Sequence, residues 1–425
     1  MSNQDFNGGS RIEDGLSGLD SAAGSDVFTE TASRSWFQRI GDSLKGIVIG
    51  VILVIAAGFL MFWNEGRSAK TSAALSEGLG QVVAVSSEKI DPSNEGKLVH
   101  LAGDTVSAQG ARDPDFGFAT KGLKVERKVE MYVWKEESHS ETQKKLGGGE
   151  ETVTRYSYKR EWSDRAVDSS RFRSASDHRN PPMPNLASRD FSASDARLGA
   201  FRVSENVIGL LSAREKLDVP ETALAQARNR LGGRTRIAQG IVYSGDNPDQ
   251  PNVGDVRVSW NLLPLTPVSI VGRQTQSDLT PWTARNGNQV LMAETGTVDA
   301  QTMFRHGEEE NAMLTWILRI VGIVLMFAGF RALLSLFEVL ADIVPFFGNI
   351  VGAGASLIAL LLTLICAPLI IAAAWLFYRP LIAIGIIVVG GALAYGARQL
   401  VRRASASKAG GRLPAGTGIQ GAAPR

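Results

Sequence analysis

Two blocks of apolar residues decide what this chain can fold into. The first, "GIVIGVILVIAAGFLMFW" at residues 46–63, holds no charge over about 18 positions. At about 1.5 Å per residue it nearly spans a hydrocarbon core of about 30 Å. A signal-peptide core is shorter, starts near the chain's beginning and ends in a small-x-small cleavage site. Here a long polar leader precedes the run, and Phe62-Trp63-Asn64-Glu65 follows it. The run therefore reads as a retained anchor, transmembrane span 1 over residues 44–63. Trp63 suits a membrane interface, and Gly66 suits a helix C-terminal cap before a polar restart at Arg67.

The second block, residues 313–397, accommodates three more spans. Span 2 covers 314–334 and carries Arg319 and Arg331 near its two ends, a placement from which each guanidinium snorkels outward. In residues 335–347, Ser335, Glu338 and Asp342 share one helical face against Leu336, Phe337, Leu340 and Ile343, the pattern of an amphipathic interfacial helix. Pro345 and Gly348-Asn349 end it. Span 3 covers 350–378, contains Pro368, and opens on Gly348, Gly352 and Ser356 at four-residue spacing, a small-residue face for helix packing. It closes on Trp375, Phe377 and Tyr378 at an interface. Arg379-Pro380 makes a tight turn into span 4 at 380–397, with small residues Gly390 and Ala394.

The fold class that follows is a multi-pass α-helical membrane protein, with four spans, one N-terminal and three C-terminal. Arg34, Arg39 and Lys45 before the first span, and Arg398, Arg402 and Arg403 after the last, put both termini in the cytoplasm. The region between the blocks, residues 67–311, is then extracytoplasmic. The leader, residues 1–35, is rich in Ser, Gly and Asp, shows no sustained period, and is expected to be disordered. The tail, residues 398–425, contains Arg and Lys without a single acid. It reads as a topology determinant facing anionic lipid before it reads as a nucleic-acid binder, and no nucleic-acid partner is expected. A net charge of +2 over 425 residues adds nothing against that. The single cysteine, Cys366, lies in an apolar segment, so the outer domain has no disulfide.

That outer domain reads as mostly β (α+β). In "GLKVERKVEMYVWKEE", Leu123, Val125, Val129, Met131 and Val133 alternate with polar residues, with one break at Arg127. "ETVTRYSYKREW" follows beyond Gly147-Gly148-Gly149, so the two form a hairpin with a mobile tip. Further strands are expected in "RIAQGIVYSG", "GDVRVSWNLL", "PVSIVGRQ" and "NQVLMAETG". "SAREKLDVPETALAQARNRL" reads as a helical insert divided by Pro220, and 72–79 as a short helix.

Motifs of catalysis are absent. His100, His139, His178 and His306 are the only histidines, and none has the spacing of a zinc protease or of paired ligands. "HGEEE" at 306–310 reads as an acidic helix turn. Gly78–Gly80 and "LGGG" at 146–149 lack the context of a nucleotide loop. No nucleophile elbow is present. Carboxylates are plentiful, and nothing singles out a glycosidase pair. No catalytic residue, metal ligand or cofactor is assigned.

Several stretches carry a resemblance: "NEGRSAKTSAALSEGL" at 64–79, "NEGKLVHLAG" at 94–103, "VEMYVWKE" at 129–136, "RYSYKREW" at 155–162, "NPDQPNVGDVRVSW" at 247–260 and "WLFYRP" at 375–380. From about Ser35 to Arg398 the chain resembles the transmembrane protein 43 family, also called LUMA. The resemblance implies a membrane protein without established enzymatic activity or cofactor. Its eukaryotic members reside in the endoplasmic reticulum and inner nuclear membrane, self-associate, and organise membrane protein complexes with lamins and emerin. The acidic leader, the Ala/Gly/Arg-rich tail and the longer loops around Pro181-Pro182-Met183-Pro184 depart from that pattern and suggest a bacterial member in the inner (plasma) membrane, to which lamina partners do not carry over.

Within the matched motifs, Asn64, Glu65, Gly66 and Arg67 are read as a helix stop with a local Glu65/Arg67 pair. Gly254 and Asp255 make a turn before a strand that presents Arg257 and Trp260. Trp375, Tyr378, Arg379 and Pro380 close span 3. The leading expectation is a non-enzymatic protein that oligomerises and scaffolds membrane complexes. Its partners are membrane lipids, further copies of itself and other membrane or envelope proteins, with envelope sensing as a close variant. An extracytoplasmic enzyme and a channel-like oligomer are the alternatives.

Overall fold

The computed structural model describes residues 27–381 and, beyond them, separate positions as far as 399. Its chain divides into two compact units. One comprises Met1–Lys45, Ala73–Glu310 and Ser335–Gly354; the other comprises Gly46–Ser72, Asn311–Leu334 and Ala355–Arg425. Three long helices contribute to both: α1 (Trp36–Gln81), α2 (Ala300–Ala341) and α3 (Pro345–Tyr378). Each is long and apolar enough to cross a membrane. The chain is thus an integral membrane protein built on several apolar helices, with a large mostly-β domain. Of the fourth expected span, 380–397, only some positions are described, all helical, and the tail from 400 on lies outside the described residues.

The helix boundaries depart from the sequence expectations. A capping box starts α1: the Ser35 hydroxyl accepts from Gln38 N–H at 3.4 Å, and the Gln38 side chain accepts from Ser35 N–H at 2.9 Å. The helix then continues for 46 residues straight through Gly66, so Gly66 is no C-cap and 72–79 is no separate helix. Similarly, residues 335–341 are the last turns of α2 rather than an independent interfacial helix. Pro345 does not end a helix but opens α3, since proline lacks only an N–H that the first turn leaves unused anyway.

In the first unit the leading sheet has the order β1-β4-β3-β7-β6-β5: β1 (Val27–Arg34), β3 (Gly122–Lys144), β4 (Glu150–Ser163), β5 (Thr235–Ala238), β6 (Ile241–Ser244) and β7 (Val256–Pro264). A second sheet centres on β2 (Leu98–Val106), β8 (Pro267–Thr275) and β9 (Met292–Thr295), with β8 paired to both others. The expected hairpin and strands are present. The expected leader disorder fails at 27–34, where β1 pairs along its whole length with β4; residues 1–26 lie outside the described ones. The helical insert is instead a strand (Glu215–Leu217) on β7, followed after Pro220 by the helix Leu224–Leu231.

The domain's core lies on the inner faces of both sheets. Val125, Val129, Met131 and Val133 of β3 pack with Val242, Val258 and Trp260 under Phe116, Phe118 and Ala227. Val99, Leu101, Val268 and Ile270 pack with Phe201, Ile208 and Leu211. Arg127 does not interrupt the β3 alternation. It keeps the inward face, buried, with Nη1 at 2.8 Å from Asp113 Oδ1 and its guanidinium 5.5 Å from the Phe116 ring. Ala74 and Leu75 of α1 join Phe304 of α2 in a third cluster with Leu98 and Val271.

In the second unit the helices pack through small residues. A Cβ on Gly50 would stand 2.7 Å from the Gly329 carbonyl oxygen, and one on Gly322 would collide with Met61. These contacts make α1 and α2 antiparallel neighbours. Ala57, Met61, Met326 and Ala367 form the buried centre. Gly348 and Gly352 serve a different purpose in the first unit, leaving room for the carboxylates of Asp342 and Glu338. Ser356 lines a wholly apolar groove with Ile323, Phe327 and Thr363. Gly390 has open space around its Cα, and Ala394 lies outside the described residues.

Candidate functional site

Asn64, Glu65, Gly66 and Arg67 occupy one turn of α1, and in the second unit that turn faces both other helices. Glu65, 4% exposed, receives Arg319 of α2 through two bonds, Nε to Oε1 at 2.6 Å and Nη2 to Oε2 at 2.9 Å. Trp375 Nε1 of α3 donates to Glu65 Oε2 at 2.8 Å. One carboxylate thus ties three helices. Arg319 does not snorkel. Its guanidinium is held between Glu65 and the Trp316 ring, 4.8 Å from the centroid. The expected local Glu65/Arg67 pair makes no direct bond and acts only through the field of the carboxylate, because Arg67 turns to Asn311 Oδ1 (3.0 Å), Thr315 Oγ1 (3.0 Å) and Asn64 Oδ1 (3.3 Å). Asn64 Nδ2 in turn donates to the Thr315 carbonyl at 3.0 Å, and Asn311 Nδ2 to that of Ser68 at 3.1 Å.

Gly66 is glycine for proximity. A Cβ there would stand 2.5 Å from the Tyr378 ring, which also packs on Phe62 at 5.4 Å between centroids. Trp375 and Tyr378 therefore close α3 against α1. Arg379 N–H donates to the Trp375 carbonyl at 2.7 Å as the helix ends, and Pro380 begins the next helical stretch.

The remaining matched residues build the β domain. Gly254 has φ +97°, a left-handed turn that glycine adopts without cost. Asp255, buried, accepts from Tyr243 Oη at 2.7 Å and from Asn252 N–H at 2.9 Å. Burial and that carboxylate push the Tyr243 hydroxyl well above the ordinary tyrosine range. Arg257 donates to Glu130 at 2.8 Å and stacks 4.4 Å from the Trp162 centroid. Burial opposes the Glu130 charge, but hydrogen bonds from Arg257 and Lys128 outweigh it and hold the carboxyl below its usual value. Trp260 donates to Asp113 Oδ2 at 2.8 Å, with Phe116 edge-on.

A second ionic cluster sits in the first unit, at the tip of the β3–β4 hairpin. Asp342, 0% exposed, accepts from Arg39 Nη2 at 2.5 Å and from Lys144 Nζ at 2.8 Å. Glu338 also accepts from Lys144, at 2.8 Å, and Arg39 Nε lies 3.0 Å from Glu150. Desolvation lowers the Lys144 ammonium, yet its bonds to the two carboxylates raise it on balance. Backbone groups complete the joint: Trp36 Nε1 donates to the Val339 carbonyl at 2.8 Å, and Gly147 N–H to that of Ile343 at 3.1 Å. Asp342 and Glu338, expected on a water-facing helix side, are thus sequestered, and the tip expected to be mobile is anchored.

The geometry offers little to chemistry. Among the described residues no three His, Cys, Asp or Glu side chains converge to hold a metal ion. His100 bonds to the Val298 carbonyl, His178 stacks on Tyr158, and His306 faces Glu294. Glu65 and Arg319 are spent on one another, as are Arg39 and Lys144 on Asp342, Glu338 and Glu150, whereas Arg67 bonds only to neutral side chains and its buried Nε has no hydrogen-bond partner among the described residues. Arg319, Thr315, Arg39 and Lys144 are not marked as site residues by the sequence, since nothing local marks partners more than 100 positions apart, and only isolated charges within or beside apolar runs hint at them; Asp113, 14 positions from Arg127 and 147 from Trp260, carries no local signal either.

No solved structure matches this chain. The family model of Transmembrane protein 43 matches residues 131–380. Transmembrane protein 43 of Mus musculus is 32% identical over 365 residues, covering 83% of this chain and 89% of the mouse protein. The Homo sapiens protein is 31% identical over 377 residues, covering 84% and 91%. The Drosophila melanogaster homolog is 28% identical over 354 residues, covering 81% and 91%. On the match of more than half its length and on these relatives, this chain belongs to the transmembrane protein 43 family.

Proposed function

We propose that this protein is a non-enzymatic membrane scaffold that oligomerises and organises membrane protein complexes. The observation that carries the reading is the Glu65 cluster. Its carboxylate is divided between an arginine and a tryptophan on two other helices, and it has no open side toward a substrate. Such an arrangement fixes three helices relative to one another and gives the carboxylate a structural use. Both termini are cytoplasmic and the body of the β domain extracytoplasmic in this reading, which rests on the basic flanks of the first and last spans.

Crosslinking in intact membranes, read by mass spectrometry on the full chain, tests the proposal. Reproducible links between copies and to other membrane proteins through residues 67–311 support it. A monomer recovered without neighbours overturns it and brings enzyme assays forward.

A further inference from the structure

Beyond the β-domain core, β3, β4 and β1 continue as a three-stranded arm with two open edges. One edge is β1, the terminal strand of its sheet. The other is the far side of β3. Its neighbour on that side, β7, ends opposite Met131 at Val256. Asn180 then caps the edge, accepting from Trp134 N–H at 2.7 Å and donating to the Trp134 carbonyl at 2.9 Å. From there to Lys144, no strand pairs with that side among the described residues.

The two edges match. Val27 pairs with Ser157 and Ser157 with Glu137; at the other end Arg34 pairs with Glu150 and Glu150 with Lys144. Both edges therefore cover the same rungs, 27–34 on one side and 137–144 on the other. Each is antiparallel to β4 between them, so they run in the same direction. Neither contains proline, one of the devices against strand addition, though both carry charges, Glu30 and Arg34 on one and Glu137, Glu141 and Lys144 on the other.

Lipid is a poor cover for this arm. Glu137, His139 and Glu141 alternate with Ser138, Ser140 and Thr142, so both faces of the outer β3 segment are polar and exposed. Unpaired edge amides are also incompatible with hydrocarbon. A second copy of the same arm supplies a strand of equal length, matching direction and polar character.

We propose that β1 of one copy pairs, parallel and in register, with residues 137–144 of β3 in a second copy. The two edges are different surfaces, so each copy gives one and receives the other. Such head-to-tail contacts close into a ring where the rotation from copy to copy allows it, and run on as a filament where it does not. In that register Glu30 stands beside Ser140 and Thr31 beside Glu141. Arg34 stands beside Lys144, whose charge is already taken by Glu338 and Asp342. This inference rests on the oligomeric reading above and names the surface through which it acts.

The test uses the full chain in membranes with Cys366→Ser. One tagged copy carries T31C and a differently tagged copy carries E141C. Within a single copy these positions are two strands apart, about 9–10 Å, beyond the reach of about 7 Å that a disulfide allows. A bond between them must therefore join two copies. Mild oxidation is expected to give a dimer bearing both tags, and a chain carrying both cysteines to give a ladder, which ends at the ring's size where the contacts close. T31C is also tested against H139C and Q143C, which cover slips of two residues. No mixed dimer from any pair, in protein whose native mass is oligomeric, overturns the edge pairing while the oligomer stands. A monomeric native mass overturns both.

Discussion

Glu65 and Arg319 illustrate how one pair of charges governs a helical bundle. Their desolvation is costly, and two short bonds plus the Trp375 donor offset it. Removing one partner leaves the other buried and alone. E65A or R319A is therefore expected to destabilise the protein by about 3–5 kcal/mol, whereas E65M/R319L, which removes both charges at similar volume, recovers most of the loss. Thermal unfolding of the four proteins in nanodiscs measures this; a double variant worse than both singles would show that the pair acts through something other than mutual neutralisation. One turn away, Gly66→Ala drives a methyl into the Tyr378 ring, at an expected cost of about 1–3 kcal/mol, and Tyr378→Leu relieves it. In the β domain, Glu130 gives a pH signature. Its carboxyl is held below the usual value by Arg257 and Lys128. A depressed carboxylate stabilises the fold fully above its unfolded pKa and ceases to do so as pH falls through the folded one. Unfolding measured across the acid range should show E130Q less stable than the parent near neutrality, with the difference closing below the ordinary carboxylate range.

The anchored hairpin tip belongs to the scale of elements, because it joins the start of α1, the end of α2 and the turn of a 23-residue strand. Asp342 is the shared acceptor, and D342N retains its size while removing the charge that holds Arg39 and Lys144. The expected result is cleavage by trypsin at Lys144 or Lys145 several-fold faster than in the parent, at unchanged rates elsewhere in the β domain. Equal rates would mean that Trp36 and Gly147 hold the tip without the ions. The elements also mark what could be read in advance. Alternation identified β3, and turn residues identified the hairpin, β7 and β8, because each rests on local pattern and a buried face. The apolar runs located all three long helices. Their ends depart from the local pattern at Gly66 and Pro345, where glycine and proline have local meanings as stop signals, yet Tyr378 and the start of α3 give them other uses. The Arg127 position looked like a break in period because its partner, Asp113, lies on a separate strand. Glu338 and Asp342 fit an amphipathic helix by spacing alone, and only the fold brings Lys144 and Arg39 to them.

Taken as a whole, the molecule has separate hydrophobic cores in its two units: the sheet-lined clusters around Trp260 and Ile270 in one, and the small cluster around Met61 and Met326 in the other. Cores made of different residues allow the helical unit and the β domain to differ in stability. The Glu65 cluster lies wholly in the second unit, which makes the separation testable by local opening. Hydrogen exchange of E65A in nanodiscs should speed up in 57–68, 311–325 and 367–378, the helical turns around the cluster, by an order of magnitude or more. Amides of 123–133 and 256–263 should keep the parent's protection, because their hydrogen bonds are made between β3 and β7 and their side chains pack without any residue of the bundle. Faster exchange spread evenly over both sets would mean that the units unfold as one, and that the bundle and the β domain are a single cooperative structure.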